Sequence, residues 1–158
     1  MFREMIRFKQ QMSEAKCIEV LKNEPRGVLS VLGDNDYPYG VPHNHYYCEE
    51  DGKIYFHSGM TGHKIDALRR HPKASYCVTD GGIRNDGEWF LRFQSVIVFG
   101  TIEFIEDREK IYDITRKLSR KFTQDEAYIE NEILRAGPRT ILFALVPEHI
   151  SGKLVKES

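Results

Sequence analysis

Between Lys53 and Arg70 the chain passes from a strand pattern to a helix pattern through a short, glycine-spaced turn. Ile54, Tyr55 and Phe56 form a β-prone run, whereas Ile65 and Leu68 lie three apart with Asp66, Arg69 and Arg70 between and beyond them, the spacing of a helix with one apolar face. Gly59 and Gly62 permit a turn that carries no Cβ penalty, and Thr61 is the expected helix cap. Such a helix start aims free N–H groups back at His57 and Ser58, and helix starts of this kind hold anions. Lys64 and the imidazoles of His57 and His63 bring further donors or positive charge into the same small region. A phosphate is the ligand this stretch best resembles a seat for. The plainer reading is a strand–turn–helix unit that carries polar surface residues.

The remainder of the chain reads as further strands with helices around them. Ser13 is placed to cap a helix running to about Asn23, with Cys17, Val20 and Leu21 on one face. Pro25 and Gly27 stop it, and a strand follows from Gly27 to Leu32. After the turn at Gly33-Asp34-Asn35-Asp36, Tyr37 to Tyr47 alternates in a strand-like manner. Pro38 and Pro42 cannot donate to a ladder, so this strand is expected to be irregular or at an edge up to Pro42. Lys73 to Thr79 is another strand, Asp80 to Glu88 has loop composition, and Trp89 to Ile105 contains a long or bent strand with Gly100 as a bulge or a place of close approach. Asp107 caps a helix carrying Ile111, Ile114 and Leu118. A second helix spans about Asp125 to Arg135, and Thr140 to Val146 is the last clear strand. These are five to seven strands with helices outside a barrel.

With 158 residues the expected organisation is one domain, preceded by an N-terminal arm over residues 1–12. Lysine and arginine number 23 against 24 acidic residues, so no global charge draws the chain to nucleic acid or to an anionic membrane, and any anion binding must be local. Cys17, Cys48 and Cys77 are odd in number and widely spaced, which argues against a disulfide framework or a structural zinc and fits reduced thiols. Charges interrupt every apolar pair of the N-terminus and no long apolar run appears, so neither a signal peptide nor a membrane span is expected. A cytoplasmic protein is the expectation. His43-Asn44-His45 places two imidazoles on one strand parity without an accompanying carboxylate or cysteine pattern, so the preferred reading is a barrel face or pocket lining rather than a metal site. Arg116, Lys117, Arg120 and Lys121, late in a helix, read as a solvated face that offsets the helix dipole.

Five segments in order carry a resemblance to a known family. They are Arg26-Gly-Val-Leu-Ser30-Val-Leu, Tyr37-Pro-Tyr-Gly-Val41-Pro42, Tyr55-Phe-His57-Ser58 followed by Gly62-His63-Lys64, and Gln94-Ser95-Val-Ile-Val-Phe-Gly100, with Ile150-Ser-Gly-Lys153 near the end. Together they resemble the split β-barrel flavoproteins related to pyridoxamine phosphate oxidase, particularly the nitroimidazole-resistance branch. The resemblance implies a six-stranded, mostly antiparallel split barrel, mainly β with peripheral helices, that binds flavin mononucleotide (FMN) and works as a homodimer. It implies cofactor contacts from Ser30, Val41, Pro42, His57, Ser58, Gly62, His63, Lys64, Gln94 and Ser95, with the last two near the flavin ring at the dimer interface. The basic residues that the oxidase's C-terminal segment supplies for a pyridoxal phosphate substrate have no counterpart, so vitamin B6 oxidation is not expected.

The implied function is oxidation or reduction of a small organic molecule, with nitro-group reduction as the specific suggestion and a nicotinamide nucleotide or a reductase as electron source. No Gly-x-Gly-x-x-Gly follows a strand, so a dedicated dinucleotide domain is not expected. A flavin storage or sensor module is the alternative from another class, and relatives of this barrel also bind haem or the deazaflavin F420. Strand parity places His57 and Ser58 on opposite faces, so Ser58 suits the phosphate while His57, which titrates near neutral pH, is the candidate catalytic proton donor.

Overall fold

The computed structural model describes residues 1–156. Seven strands, β1 (Arg26–Leu32), β2 (Pro38–Asn44), β3 (Tyr46–Cys48), β4 (Lys53–Gly59), β5 (Lys73–Thr79), β6 (Arg92–Ile105) and β7 (Thr140–Lys156), form one antiparallel sheet in the order β2-β1-β5-β6-β7-β4-β3. β2 and β3 occupy its opposite edges, yet a single residue, His45, joins them. The two edges can be that close only if the sheet curls round on itself, so the chain is a barrel closed covalently at His45. Counted as one bent strand, β2 and β3 reduce the seven to the six expected.

The prolines explain which strand is the edge. β2 pairs with β1 alone, so Pro38 and Pro42 leave no gap in an interior ladder. At the other edge β3 pairs only with Lys53, Ile54 and Tyr55 of β4, whereas β4 continues along β7 to Gly59. The flank of β4 from Phe56 to Gly59 therefore has no strand beside it, and the barrel is split there.

Inside, Leu29, Val31, Ile54, Phe56, Tyr76, Val78, Val96, Val98 and Phe143 form a fully enclosed core. Helix α1 (Glu14–Asn23) closes one end, its amide at Lys16 donating to Ser13 Oγ and its Cys17, Val20 and Leu21 face buried, as the sequence predicts. Helix α2 (His63–Arg70) packs Ile65, Ala67 and Leu68 into the core. Its cap position is Gly62, at φ 136, so the expectation of a Thr61 cap is corrected: no side chain caps this helix. Helices α3 (Arg108–Arg120), capped by Asp107, and α4 (Glu126–Ala136), capped by Asp125, form a hairpin against the outer face of β4 and β7, where Ile114 meets Tyr55, Leu142 and Ala144.

β7 runs ten residues past the expected Val146. Its pairing with β6 slips between Phe99 and Gly100, which face His149 and Pro147, and the skipped residue is Glu148. This bulge absorbs Pro147 without ending the strand. A Cβ on Gly100 would lie 2.2 Å from the Val146 carbonyl oxygen, so the expected close approach is real. The N-terminal arm lies on the outer sheet face, with Phe2 stacked on Phe99 and His149 at 5.6 and 4.7 Å.

Candidate functional site at the barrel split

A basin of about 280 Å³ occupies the split, lined by Pro42, His43 and Asn44 from β2, His57 from β4 and Lys64 from α2. The alternation of β2 turns His43 inward, where its ring meets Phe56 and Phe143 edge-on at 5.1 and 5.9 Å. His43 Nδ1 lies 2.9 Å from the Asn44 carbonyl oxygen, and its Nε2 lies 3.0 Å from Lys64 Nζ. The consistent assignment is a neutral ring that donates from Nδ1 and accepts the Lys64 ammonium at Nε2. Burial is the main cause that pushes the His43 pKa down to about 4, and the nearby positive charge of Lys64 adds to it.

Lys64 is the basin's one ammonium, and burial lowers its pKa. Among the described residues no carboxylate pairs with it; its other neighbour is the Phe143 ring at 5.9 Å. The cation is thus partly desolvated and charge-unbalanced, which raises the gain available to an incoming anion. His57 keeps one face open to solvent. Desolvation, then the charge of Lys64, lower its pKa, and its greater exposure softens the effect relative to the half-buried His43.

Of the expected site residues, the fold brings Pro42, His57 and Lys64 together. Ser58 follows His57 on β4, on the parity of the core residue Phe56, and Gly62 opens α2 beside them. His63 is turned away. Its Nε2 accepts from the Asp34 amide at 3.1 Å and its ring stacks on Tyr39 at 4.2 Å, so it fastens α2 to the turn after β1. Val41 packs at the margin of the core. Ser30 lies on the outer sheet face, opposite Gly40 and Ser75. Gln94 and Ser95 lie near the start of β6, with the Gln94 amide and side chain both donating to the Asp80 carboxylate at 2.9 and 3.1 Å.

Three features were not read from the sequence. Asn44 shares the basin, a placement decided by the break at His45. His45 is fully enclosed, donating from Nε2 to the Leu21 carbonyl at 2.6 Å with Nδ1 2.7 Å from Tyr76 Oη. Lys121 departs from the expected solvated face: its ammonium donates to the His45 carbonyl at 2.9 Å, and burial lowers its pKa to about 8. Arg116 and Arg120 are paired to Glu130 and Glu126 at 2.6 and 2.8 Å.

Solved structures share this fold. A candidate 5-nitroimidazole antibiotic resistance protein from Bacteroides thetaiotaomicron superposes with a TM-score of 0.73 at 20% identity, over 94% of this chain and 90% of that one. A FAD-binding protein from Mesorhizobium loti gives 0.64 at 24% identity, over 92% and 97%. A FAD and haem binding protein from Mycobacterium smegmatis gives 0.73 at 20% identity, over 94% and 74%. No curated protein sequence matches the chain. Residues 13–154 match the family model described as pyridoxamine 5'-phosphate oxidase, which spans nearly the whole chain, and the protein belongs to that split-barrel family.

Proposed function

We propose that the protein is an FMN-binding oxidoreductase acting on a small organic substrate, and that Lys64 receives the flavin phosphate. The observation that carries this reading is the unbalanced, half-buried ammonium at the split of a barrel whose family and neighbours are flavin proteins. The residues present fit the group. Lys64 supplies charge, the start of α2 supplies amides, and the unpaired flank of β4 from Phe56 to Gly59 supplies main-chain groups for a ring bearing carbonyls and an N–H. When bound, the flavin supplies the electron transfer. His57, at the rim of the same basin with a depressed pKa, is neutral at physiological pH and accepts or relays a proton there.

The reading includes a homodimer. A basin of about 280 Å³ falls below the roughly 300–1,000 Å³ of cofactor pockets, so one subunit seats only part of the flavin. The outer sheet face exposes Val28, Ile97 and Phe99 at 40–41% each, close to Ser30 and Ser95. Pairing two such faces covers the apolar strands and carries Ser30, Gln94 and Ser95 towards the partner's basin. Ile97→Glu should convert the dimer to a monomer in light scattering and lower flavin content in parallel.

The absorbance spectrum of the purified protein is the deciding experiment. Flavin maxima that are bleached anaerobically by a nicotinamide nucleotide or a reductase, and restored by a nitroimidazole, support the enzyme. Bound flavin that no donor reduces indicates storage or sensing. A Soret band would move the reading to haem, which the FAD and haem binding neighbour from Mycobacterium smegmatis makes a specific alternative. A protein that stays colourless after titration with FMN refutes the reading.

A further inference from the structure

The wall of the basin is held from behind. Pro42, His43 and Asn44 line the basin at the end of β2, and His45 follows them into the interior. Tyr76 of β5 is fully buried, and its hydroxyl lies 2.6 Å from the His43 carbonyl oxygen and 2.7 Å from His45 Nδ1, so it spans the segment on both sides of Asn44. Burial pushes the Tyr76 pKa up, and the hydroxyl keeps its one proton for these acceptors. From just past the end of α3, Lys121 donates to the His45 carbonyl at 2.9 Å. Neither Tyr76 nor Lys121 lines the basin itself.

Packing alone does not call for the Tyr76 hydroxyl. The ring meets Phe56 and His45 edge-on at 4.9 and 5.0 Å, contacts that a phenylalanine would make equally well. What the hydroxyl adds is a grip on the backbone at His43 and on the ring of His45. β1 makes room for that grip. Gly27 pairs with His43 across the ladder, and a Cβ there would lie 2.9 Å from Tyr76 Cζ, the carbon that bears the hydroxyl. Any side chain at Gly27 would press on that end of the ring.

The grip passes to the site through one further contact. His43 Nε2 accepts from the Lys64 ammonium at 3.0 Å, so the backbone at His43 sets where the imidazole stands, and the imidazole sets where the charge is presented. A charge held in place before its ligand arrives binds more tightly than one that must be ordered on binding. We propose that Tyr76 and Lys121 are positioning residues of the flavin site: by fixing residues 43–45 from within the barrel, they aim the Lys64 ammonium at the phosphate. This rests on the reading of Lys64 as the phosphate partner and adds two residues, neither touching the ligand, that set its affinity.

Tyr76→Phe deletes the hydroxyl and keeps the ring. It should weaken FMN by about threefold to tenfold and leave riboflavin, which has no phosphate, within about twofold. A ligand-free readout accompanies this. By NMR the His43 ring, held down to about 4 in the wild type, should gain proton affinity by about tenfold or more once it is released from its place beside Lys64. Lys121→Met frees the same segment at the His45 carbonyl; it should move both measurements in the same direction, and it carries the test if Tyr76→Phe does not fold. Tyr55→Phe is the matched control, since it removes the hydroxyl of another fully buried tyrosine, one bound to Asp51 on the outer side of β4. It should leave the ratio of FMN to riboflavin affinity and the His43 titration as in the wild type. Equal loss of both flavins in Tyr76→Phe, an unmoved His43 titration, or the same changes in Tyr55→Phe overturns the proposal. If the wild type takes up no flavin, the flavin reading falls, and the His43 titration alone decides whether Tyr76 holds the segment.

Discussion

Acid should unfold this protein earlier than its carboxylates alone would, because two imidazoles, the enclosed His45 and the half-buried His43, are held neutral. His45 has a pKa pushed down to about 3, chiefly by burial and then by the ammonium of Lys121, while its bond to the Leu21 carbonyl opposes the shift. His43 is pushed down to about 4 by burial, with Lys64 and His57 adding to the effect. In the unfolded chain both return to about 6.5, so below that pH the unfolded state binds protons that the native state refuses. Stability is therefore complete above the unfolded value and falls as pH drops towards the folded values. Between about pH 7.5 and about pH 5 the linkage relation gives a loss of about 2 kcal/mol for each ring, about 4 kcal/mol together. Ordinary carboxylates contribute little in that window because they titrate lower. Urea unfolding across this range measures the loss directly. His43→Gln should shrink it by about 2 kcal/mol whatever the variant's own stability, since the comparison is between slopes. An unchanged pH dependence in His43→Gln would show that His43 takes up its proton in the native state, and would remove the neutral-acceptor arrangement assigned to it beside Lys64.

Lys64→Met should weaken FMN roughly tenfold or more and leave riboflavin, which lacks the phosphate, unaffected, as the loss of one charge-assisted contact of about 1.5–3 kcal/mol requires. Its melting temperature should not fall, because burial already disfavours the charge; equal losses for both flavins would make Lys64 structural. His57→Ala should keep FMN within a few-fold yet lose turnover, and the wild-type kcat/KM profile should break below the ordinary imidazole pKa; loss of FMN as severe as in Lys64→Met would assign His57 to the phosphate instead. Gly100→Ala drives a Cβ into the Val146 carbonyl and should cost about 1–3 kcal/mol in denaturant unfolding, whereas a neutral result would mean the bulge relaxes freely.

Local chemistry was legible where it alone decides the outcome. Ser13, Asp107 and Asp125 cap the helices that the sequence places after them, and the two prolines of β2 assign it to an edge without any knowledge of its partners. Legibility failed where a distant contact decides. The last strand reads as ending near Val146, yet Gly152 sits within β7, where Cys17 and Met12 pack against it, 2.6 and 2.9 Å from an added Cβ. His63 and Lys64 are adjacent cations to a sequence reader. On a helix they diverge by about 100°, and only the folded chain shows that Tyr39 and Asp34 take the first while the basin takes the second. The run from Arg116 to Lys121 likewise hides one residue that turns inward, since nothing local distinguishes Lys121 from its solvated neighbours.

The break at His45 ties barrel closure to the site. A regular strand through this position would leave β2 and β3 on one edge, and the sheet would stay open. Instead His45 is drawn inward between the Leu21 carbonyl and Tyr76, whose hydroxyl lies 2.7 Å from His45 Nδ1 and 2.6 Å from the His43 carbonyl oxygen, so the residues on both sides of Asn44 are held from within the barrel. The same swing transfers the chain to the other edge, where β3 runs for only three residues, so β4 continues past it with its flank unpaired. The gap that admits a ligand is thus a geometric consequence of how the barrel closes. The lining of that gap follows from the same event, because Pro42, His43 and Asn44 end at the break and His57 lies on the part of β4 that the break leaves bare.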